Sequence, residues 1–270
     1  MLLREVEYVK PSSVAEAIEL LVENEGARAL AGGQTLINVM KARAASPDAL
    51  VDLNGLEELK GIDLAPDGTL TIGAMTTYSE IVASAEAKAR PILGEVCAQI
   101  ADVQVRNRGT IGGNICSNDP TNHLPPLVTA VGARMTILGR DGERVVSAEE
   151  FFLGVYMTAV GPGELLTRVT IPAGKGDGFA AVTLGVDGTC IANAAASIQD
   201  GSLRVALGCV DAVPVLLRPE SADADAVREA VRAAGLEPPS DVHASSEYRR
   251  HLAEVLAVRA AAQAAERAGG

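Results

Sequence analysis

The sequence predicts an α+β fold made of two lobes and a C-terminal domain that combines a three-stranded antiparallel sheet with helices. Three observations predict it: a β-α-β pattern up to residue 55, hairpin turns among short strands and helices up to residue 173, and three alternating apolar runs followed by two helical stretches from residue 177. With 270 residues, of which 48% are hydrophobic, the chain can bury several cores.

The first lobe, residues 1–55, carries local start and stop signals for a helix. Ser12 or Ser13 can cap the helix, Glu16 fits a capping box, and Gly26 ends it. The predicted elements are a strand at 3–9, a helix at 14–24, a strand at 27–30, a turn with a short helix at 33–43 and a strand at 49–53. This order predicts a compact α/β unit.

The second lobe, residues 56–173, is divided by turn-forming residues. Asp67-Gly68 and Asp141-Gly142 predict hairpin turns, and Thr76 or Thr77 can cap a helix. The predicted elements are strands at 70–74, 134–138, 144–146 and 164–171, and helices at 78–83, 91–100, 127–131 and 151–156.

The C-terminal domain, residues 177–270, follows a predicted linker at 173–178, where small and turn-forming residues occur without an apolar anchor. Turns at Asp187-Gly188 and Asp200-Gly201 separate three predicted strands. The predicted elements are strands at 179–184, 190–199 and 203–210, and helices at 224–234 and 246–267.

Charge and cysteine usage exclude several classes of protein. A net charge of −12 disfavours binding to nucleic acid or to an anionic membrane surface. The four cysteines, Cys97, Cys116, Cys190 and Cys209, form no C-x-x-C pair, which argues against an iron–sulfur or zinc site in this chain. The sequence shows neither a signal-peptide pattern nor a long uncharged apolar stretch, so we expect a cytoplasmic protein with reduced thiols.

The segment Leu30-Ala31-Gly32-Gly33-Gln34-Thr35-Leu36 is the first candidate binding element. A predicted strand runs into two glycines, and a predicted helix follows them. Glycines let backbone N–H groups approach a ligand, and the helix N-terminus adds positive potential, so the pattern suits a pyrophosphate. It lacks the G-x-G-x-x-G and P-loop patterns, and by itself it is equally compatible with a plain tight turn.

A second candidate lies at residues 105–115, where a run of glycines alternates with hydroxyl and amide side chains. Polar and turn-forming residues continue through 117–123, although the rest of the chain is rich in apolar residues. This composition is typical of a ligand-binding segment, so we interpret Thr110–Asn114 as a binding loop rather than an irregular surface loop.

Together these segments resemble the FAD-binding medium subunit of molybdenum hydroxylases, the family that includes carbon monoxide dehydrogenase and the flavin domain of xanthine dehydrogenase. The resemblance covers nearly the whole chain, and the order and spacing of its glycine-pair motifs are specific. The motifs that carry it are AGGQTL at 31–36, VDLN at 51–54, IGA at 72–74, QVRNRGTIGGN at 104–114, DP at 119–120, PGELL at 162–166 and HASSEYRR at 243–250.

The resemblance implies one FAD site in a two-lobed domain of the PCMH, vanillyl-alcohol-oxidase-like type. The glycine segments would hold the pyrophosphate and the ribityl hydroxyls, Ile100 would lie against the cofactor, and residues 189–191 would approach the isoalloxazine ring. No residue is expected to be catalytic or to bind a metal, because the redox chemistry belongs to the flavin. The implied cofactor-binding residues are Leu30, Ala31, Gly32, Gly33, Gln34, Thr35, Leu36, Ile100, Thr110, Gly112, Gly113, Asn114, Asp119, His123, Thr189, Cys190 and Ile191.

The resemblance also implies partner chains. In this family, electrons pass from a molybdopterin cofactor in a large subunit, through [2Fe–2S] clusters in a small subunit, to the flavin and then to an external acceptor. We therefore expect a dimer of such heterotrimers. This chain has no cysteine pattern typical of an iron–sulfur cluster, which agrees with clusters that lie in another chain.

Two positions depart from the family pattern. Many relatives carry Asp where this chain has His123, and a histidine cannot accept two hydrogen bonds as a carboxylate does. Relatives often carry basic residues in the stretch that corresponds to 180–186, and this chain has none there. The departures concern the surroundings of the flavin and the identity of the acceptor more than FAD binding itself.

Other chemistry-bearing residues have simpler interpretations. His243 and His251 suit capping or ion pairing, since no H-x-x-x-H spacing predicts a zinc site. Glu149-Glu150 suits the first turn of a helix. Arg106 fits a phosphate contact, a subunit contact or bracing of its loop, and Cys116 fits either a small buried hydrophobe or a redox thiol.

Two alternative functions stay open on the sequence alone. A self-contained FAD oxidase or dehydrogenase with its own organic substrate would need a catalytic residue beside the flavin, and it often has a covalent flavin link. The chain length and the lack of a histidine in the first glycine segment argue against it. A non-catalytic subunit that has lost FAD is the other alternative, and the intact glycine pairs argue against that.

Overall fold

The computed structural model describes residues 2–185 and 188–269. It has an α+β fold with mixed sheets, as the sequence predicts: a parallel sheet near the N-terminus and antiparallel sheets in the rest of the chain. The turn predicted at Asp187-Gly188 lies partly outside the described residues. No helix within the described ranges is long and apolar enough to cross a membrane.

The N-terminal part is a parallel α/β unit. Its elements are β1 (Glu7–Val9), α1 (Val14–Glu23), β2 (Ala27–Leu30), α2 (Leu36–Lys41) and β3 (Ala49–Asp52). The strands lie in the order β1-β3-β2 and pair in parallel. Ser13 caps α1 by accepting a hydrogen bond from the N–H of Glu16 at 3.1 Å. The first strand is shorter than predicted, because only residues 7–9 pair with β3.

The central part contains a five-stranded antiparallel sheet and most of the short helices. Its elements are β4 (Ile62–Leu64), β5 (Leu70–Gly73), α3 (Tyr78–Ala83), α4 (Ile92–Ala98), α5 (Val103–Arg106), α6 (Ile111–Ser117), α7 (Leu124–Ala130), β6 (Arg134–Gly139), β7 (Gly142–Ser147), α8 (Ala148–Phe151), β8 (Phe152–Gly154), β9 (Met157–Thr158) and β10 (Leu165–Ile171). The sheet order is β4-β5-β10-β6-β7. Both predicted hairpins form, as β4-β5 and β6-β7. Strand β10 lies between them and pairs with β5 on one side and β6 on the other.

Two predictions for the central part are wrong. Thr110–Asn114 is not a loop, because Thr110 caps α6 and the glycine pair forms its first turn. Position 112 requires glycine, because a Cβ on it would lie only 2.6 Å from the Ala74 carbonyl oxygen. The helix predicted at 151–156 is instead the end of α8 followed by the β8-β9 hairpin, since the capping box of Ser147 starts that helix earlier.

The C-terminal part is an antiparallel sheet covered by helices. Its elements are β11 (Gly176–Thr183), β12 (Cys190–Gln199), β13 (Ser202–Gly208), β14 (Val215–Leu217), α9 (Ala224–Ala233) and α10 (Ser246–Gly269). The sheet has four strands in the order β11-β12-β13-β14, which corrects the predicted three, because residues 215–217 add to the edge of β13. The linker prediction is wrong for residues 176–178, which begin β11.

Three apolar cores stabilise these parts. The N-terminal core packs α1 against the parallel sheet, and the C-terminal core packs α10 against β12 and β13. The central core is the largest, and it includes Phe179, Ala195 and Ala206 from the C-terminal sheet. The C-terminal sheet is therefore fixed to the central part by shared apolar burial.

Candidate functional site

The first glycine segment forms a turn between β2 and α2. Gly33 has a φ of 72°, a left-handed conformation that glycine adopts without strain. Within the described residues, the N–H groups of Gly32, Gly33, Gln34 and Thr35 have no acceptor in the protein. Successive unpaired N–H groups in a turn create a concave site of positive potential that can bind an anion.

This turn lies directly against the second glycine segment. A Cβ on Gly32 would lie 2.0 Å from the carbonyl oxygen of Arg108, so no other residue can occupy the position without displacing backbone. A Cβ on Gly113 would lie 3.4 Å from the Cβ of Ala31. The two segments, which are far apart in the sequence, therefore form one surface.

The first turn of α6 differs from the Gly32–Thr35 turn, because its N–H groups are already bound. Their acceptors, at 2.8–3.0 Å, are Thr76 O for Ile111, Ala74 O for Gly112, Thr110 Oγ1 for Gly113 and Thr110 O for Asn114. The Asn114 Oδ1 atom, in contrast, is buried without a hydrogen-bond partner in the described part of the chain. This segment therefore offers a side-chain acceptor rather than a row of backbone donors.

A polar group that sequence reasoning did not assign supports the Gly32–Thr35 turn. The Asn54 Nδ2 atom donates to the Ala31 carbonyl at 3.0 Å and to Asp52 Oδ1 at 2.5 Å, and the Tyr8 hydroxyl donates to Asp52 Oδ2. Burial opposes ionisation of Asp52, but the hydrogen bonds from Tyr8 and Asn54 outweigh it and lower the pKa of the carboxyl. The VDLN motif at 51–54 contains both Asp52 and Asn54. In the sequence it indicated the family but did not indicate that these two side chains support the turn.

A chain of amide hydrogen bonds connects α6 to the C-terminal sheet. The Asn122 Nδ2 atom donates to the Asn114 carbonyl at 3.0 Å, and Asn193 Nδ2 donates to the Asn122 carbonyl at 3.2 Å. Asn193 Nδ2 also lies 3.3 Å from Nδ1 of His123, whose ring packs against Phe179 with a centroid distance of 5.3 Å. His123 is therefore buried beside β12 rather than exposed on a loop.

Asp119 organises the turn that precedes α7. Its Oδ1 accepts hydrogen bonds from the N–H and hydroxyl groups of Thr121 at 2.9 and 2.8 Å. Its Oδ2 accepts one from the Tyr156 hydroxyl at 3.0 Å, which fixes the β8-β9 hairpin against this turn. Asp119 is thus close to His123 in the chain, but its carboxylate bonds locally.

The remaining predicted site residues are dispersed. Leu30 and Leu36 flank the first glycine turn and are half-buried, and Thr189 is exposed just before β12. Ile100 packs against the central core, whereas Ile191 packs in the C-terminal core and its carbonyl accepts a hydrogen bond from Arg249.

Several other side chains have structural roles. Arg106 donates from Nη1 to the Ile100 carbonyl at 3.1 Å, which supports bracing of its loop among the three interpretations. Burial raises the pKa of the Cys116 thiol to about 12, and the partly exposed side chain packs against the central core, which favours a small apolar role over a redox thiol. Glu149 lies in the first turn of α8, as predicted, and forms salt bridges with Arg204 and Arg218.

The chain is similar to proteins of known function over almost its full length. Residues 4–174 match the family described as the FAD binding domain in molybdopterin dehydrogenase. The carbon monoxide dehydrogenase medium chain of Afipia carboxidovorans is 37% identical over 287 aligned positions, which cover 97% of each chain.

Solved structures give the same result. A chain of reconstituted CO dehydrogenase from Oligotropha carboxidovorans superposes with a TM-score of 0.91 at 36% identity, and 99% of this chain and 100% of that chain are covered. A chain of quinoline 2-oxidoreductase from Pseudomonas putida 86 superposes with a TM-score of 0.90 at 34% identity, with coverage of 98% and 99%. The resemblance inferred from the glycine-pair motifs is confirmed, and the chain belongs to the FAD-binding medium-subunit family of the molybdenum hydroxylases.

Proposed function

We propose that this chain is the electron-transfer flavoprotein subunit of a heteromeric molybdenum hydroxylase. In this proposal it accepts electrons from [2Fe–2S] clusters in a small partner subunit and passes them to an external acceptor. The proposal rests on four successive N–H groups, those of Gly32–Thr35, which have no acceptor among the described residues. The neighbouring Ala31 contacts Gly113 and so brings this turn against the second glycine segment.

The residues of this turn fit the pyrophosphate of FAD. Four N–H groups without protein acceptors can donate to phosphate oxygens, and the absence of Cβ atoms at Gly32 and Gly33 lets the ligand approach the backbone. The buried, unpartnered Oδ1 of Asn114 can accept a hydrogen bond from a ribityl hydroxyl. When bound, FAD supplies one- and two-electron transfer, and the protein positions it.

The other proposed contacts follow from this placement. The Thr110 hydroxyl lies at the start of α6. The Asp119 turn and His123 follow the end of this helix, on the side that leads to Asn193 and β12. Ile100 and the backbone at 189–191 complete the proposed set. None of these groups is assigned to proton transfer to a substrate.

We further propose that residues 1–55 and 56–173 are the two lobes of a PCMH-type FAD domain, with residues 177–270 as its C-terminal domain. The close contact between Gly32 and Arg108 supports a site shared by the lobes. The relatives named as medium chains or medium subunits support an assembly with a small iron–sulfur subunit and a large molybdopterin subunit. Its arrangement as a dimer of heterotrimers and its cytoplasmic location belong to this proposal.

Purification from the native host through a tag on this chain tests the proposal. We expect a yellow complex that releases FAD on heating, that contains iron and molybdenum, and that includes two further chains. A colourless chain that takes up no added FAD would contradict the proposal. A yellow chain that oxidises an organic substrate without any partner would instead identify a self-contained oxidase.

The acceptor can be identified on the same complex. The flavin is reduced anaerobically with dithionite, and its reoxidation is followed at the flavin absorbance band after mixing with NAD⁺, oxygen or a quinone. The proposal expects reoxidation of the flavin by at least one of these external acceptors. If none reoxidises it faster than buffer alone, the proposed transfer to an external acceptor is wrong.

A further inference from the structure

Two cysteines from different strands share one buried polar neighbour. Cys190 begins β12, and Cys209 follows directly after β13. The Nδ2 atom of Asn193 lies 3.5 Å from the Cys190 sulfur and 3.7 Å from the Cys209 sulfur. Cys190 is 2% exposed and Cys209 5% exposed, so both thiols lie inside the protein, around the same amide nitrogen.

The backbone around this thiol pair is fixed from the opposite side. Arg249 on α10 donates from Nη1 to the Ile191 carbonyl at 2.5 Å and to the Cys209 carbonyl at 3.3 Å. Cys209 itself has a φ of 64°, a left-handed conformation that is unfavourable for a non-glycine residue. Such conformations persist where the surrounding structure imposes them. Here the backbone of Cys209 places its sulfur beside Asn193, the residue that also contacts the Cys190 sulfur.

The two thiols are chemically unequal. Hydrogen bonding from the Cys209 thiol, followed by contributions from His123 and Asn193, lowers the pKa of Cys190 despite its burial. The neighbouring Cys190 sulfur and burial together raise the pKa of Cys209. One member of the pair is therefore suited to attack as a thiolate, and the other is suited to stay protonated until a second step.

The remaining two cysteines provide a contrast within the same chain. Cys97 and Cys116 have no such partner among the described residues, and burial raises the pKa of each thiol to about 12. Cys97 is buried in the central core, and Cys116, which is partly exposed, packs against that core. The described residues thus contain one pair of neighbouring cysteines and two cysteines without such a partner.

A small cavity borders Cys209, one of the two cysteines. It has a volume of about 10 Å³, enough for one molecule the size of water, and is lined by Cys209, Gly208, Asp119 and Pro126 among others. Hydrogen peroxide is only slightly larger than water, whereas bulky thiol reagents do not fit. The burial of both thiols, together with the small size of this cavity beside Cys209, favours a small oxidant over a large one.

We propose that Cys190 and Cys209 are a peroxide-sensitive thiol pair that oxidises to an intrachain disulfide. Cys190 first releases its proton, its thiolate sulfur attacks one oxygen of hydrogen peroxide and the O–O bond breaks; the leaving hydroxide takes up the released proton to form water. The Cys209 sulfur then attacks the resulting sulfenic acid, the S–O bond breaks, and the hydroxide leaves with the Cys209 proton as a second water. Two thiols are oxidised to one disulfide, and one peroxide is reduced to two waters.

Cys190 also belongs to the residues proposed to contact FAD, and Asn193 joins it to His123. The test reads the oxidation state of the thiols, so its outcome does not depend on whether FAD binds. The experiment uses the native complex. The complex is treated with hydrogen peroxide, free thiols are alkylated in denaturant, and the peptides are analysed by mass spectrometry. We expect a linked Cys190–Cys209 peptide that increases with peroxide dose and disappears with dithiothreitol, while Cys97 and Cys116 are recovered in alkylated form. Recovery of Cys190 and Cys209 as alkylated thiols at every dose would overturn the proposal.

Two serine variants assign the roles of the pair. In Cys209→Ser, Cys190 should stop at the sulfenic acid and become labelled by dimedone. In Cys190→Ser, Cys209 should remain unlabelled, because its burial still raises the pKa of its thiol when the Cys190 sulfur is absent. Labelling of Cys209 in the absence of Cys190, together with no labelling of Cys190 in Cys209→Ser, would reverse the assignment and refute the proposed order of steps. Thermal unfolding of both variants confirms that each is folded before labelling.

Discussion

Arg90 and Asp177 form a buried bidentate ion pair that connects the central part to the C-terminal sheet. The Nε and Nη2 atoms of Arg90 donate to the two carboxylate oxygens of Asp177, each at 2.8 Å, and Nη2 also donates to Ser197 Oγ at 3.0 Å. Both residues are 1% exposed. Since neither charge has access to water, each depends on the other for its solvation.

Removing one partner should therefore be strongly destabilising. In Asp177→Ala the Arg90 guanidinium stays buried without its counter-charge, which costs about 3–5 kcal/mol of the free energy of unfolding. Urea or guanidinium denaturation at neutral pH measures the loss. As a matched control, Asp225→Ala removes the carboxylate from an exposed pair with Arg228, and we expect no measurable change in stability.

The double variant Arg90→Met with Asp177→Leu separates the energy of the pair from the penalty of an orphaned charge. Apolar side chains of similar volume often replace a buried ion pair without loss, so the double variant should be more stable than Asp177→Ala alone. A double variant less stable than either single variant would show that the pair itself stabilises the contact between the two parts.

Replacement of Gly32 by alanine should weaken FAD binding. The new Cβ would lie 2.0 Å from the Arg108 carbonyl oxygen, so the turn must move away from the second glycine segment. Overpacking of this kind costs about 1–3 kcal/mol. If the displaced N–H groups bind the cofactor, the Kd for FAD should rise by roughly ten- to a hundredfold, as measured by titration of the apoprotein with flavin fluorescence.

Gly94→Ala is the matched control for this substitution. Gly94 lies inside α4, and the nearest atom to its added Cβ is 3.9 Å away. Alanine should therefore leave FAD affinity unchanged and raise helix stability by about 0.5–1 kcal/mol. Equal flavin affinities in Gly32→Ala, Gly94→Ala and the wild type would contradict the assignment of the Gly32–Thr35 turn.

The Asp52 carboxylate should make stability depend on pH in the acid range. Its pKa is lowered in the folded protein, because hydrogen bonds from Tyr8 and Asn54 outweigh burial. Its contribution is therefore complete above the unfolded-state value of about 3.9 and is lost as the pH falls through the lower folded value. Denaturation curves of the wild type and Asp52→Asn at several pH values measure this contribution.

The difference between the wild type and Asp52→Asn should be largest near neutral pH and should shrink as the pH falls below about 4. Asp63→Asn, which changes an exposed carboxylate on β4, serves as the control and should show no such pH-dependent difference. A stability difference for Asp52→Asn that is the same at all pH values would assign the effect to packing instead of charge.

Local signals explain why much of the first lobe could be predicted. Ser13 caps α1 and Gly26 follows its end, and both signals act within one helical turn of the residues they affect. The same holds for Thr77, whose capping box with Glu80 starts α3. Helices whose ends are set by residues close in the sequence could therefore be predicted from the sequence alone.

Glycines caused the two clearest errors. The run at 173–178 resembles a linker, yet a Cβ on Gly178 would lie 2.0 Å from the Ala260 carbonyl, so glycine is needed there for the close packing of β11 on α10. Gly112 likewise allows α6 to approach Ala74. A sequence shows that a glycine is present, but only the tertiary contact shows whether it serves a turn or a close approach.

The site could be predicted as a set of segments but not as a set of contacts. The family motifs identified the glycine segments, and the structure brings these two together. The hydrogen bond between Asn193 and Asn122 joins residues about seventy positions apart, and no local pattern encodes it. Asn54 and Cys209 were missed for the same reason, since their partners are set by the fold.

The Thr110 side chain should contribute to stability and, if the proposed site is correct, to flavin binding as well. Its Oγ1 atom accepts a hydrogen bond from the Gly113 N–H at 3.0 Å, and the residue is 2% exposed. Thr110→Ala leaves that N–H without a partner and should cost about 1–2 kcal/mol of unfolding free energy. Thr110→Ser keeps the cap and should recover most of the loss.

If Thr110→Ala lowers stability but leaves the Kd for FAD at the wild-type value, Thr110 is a structural cap only, and its place among the cofactor contacts is wrong. A parallel loss of affinity that serine restores would support a direct role of the hydroxyl beside the Gly32–Thr35 turn.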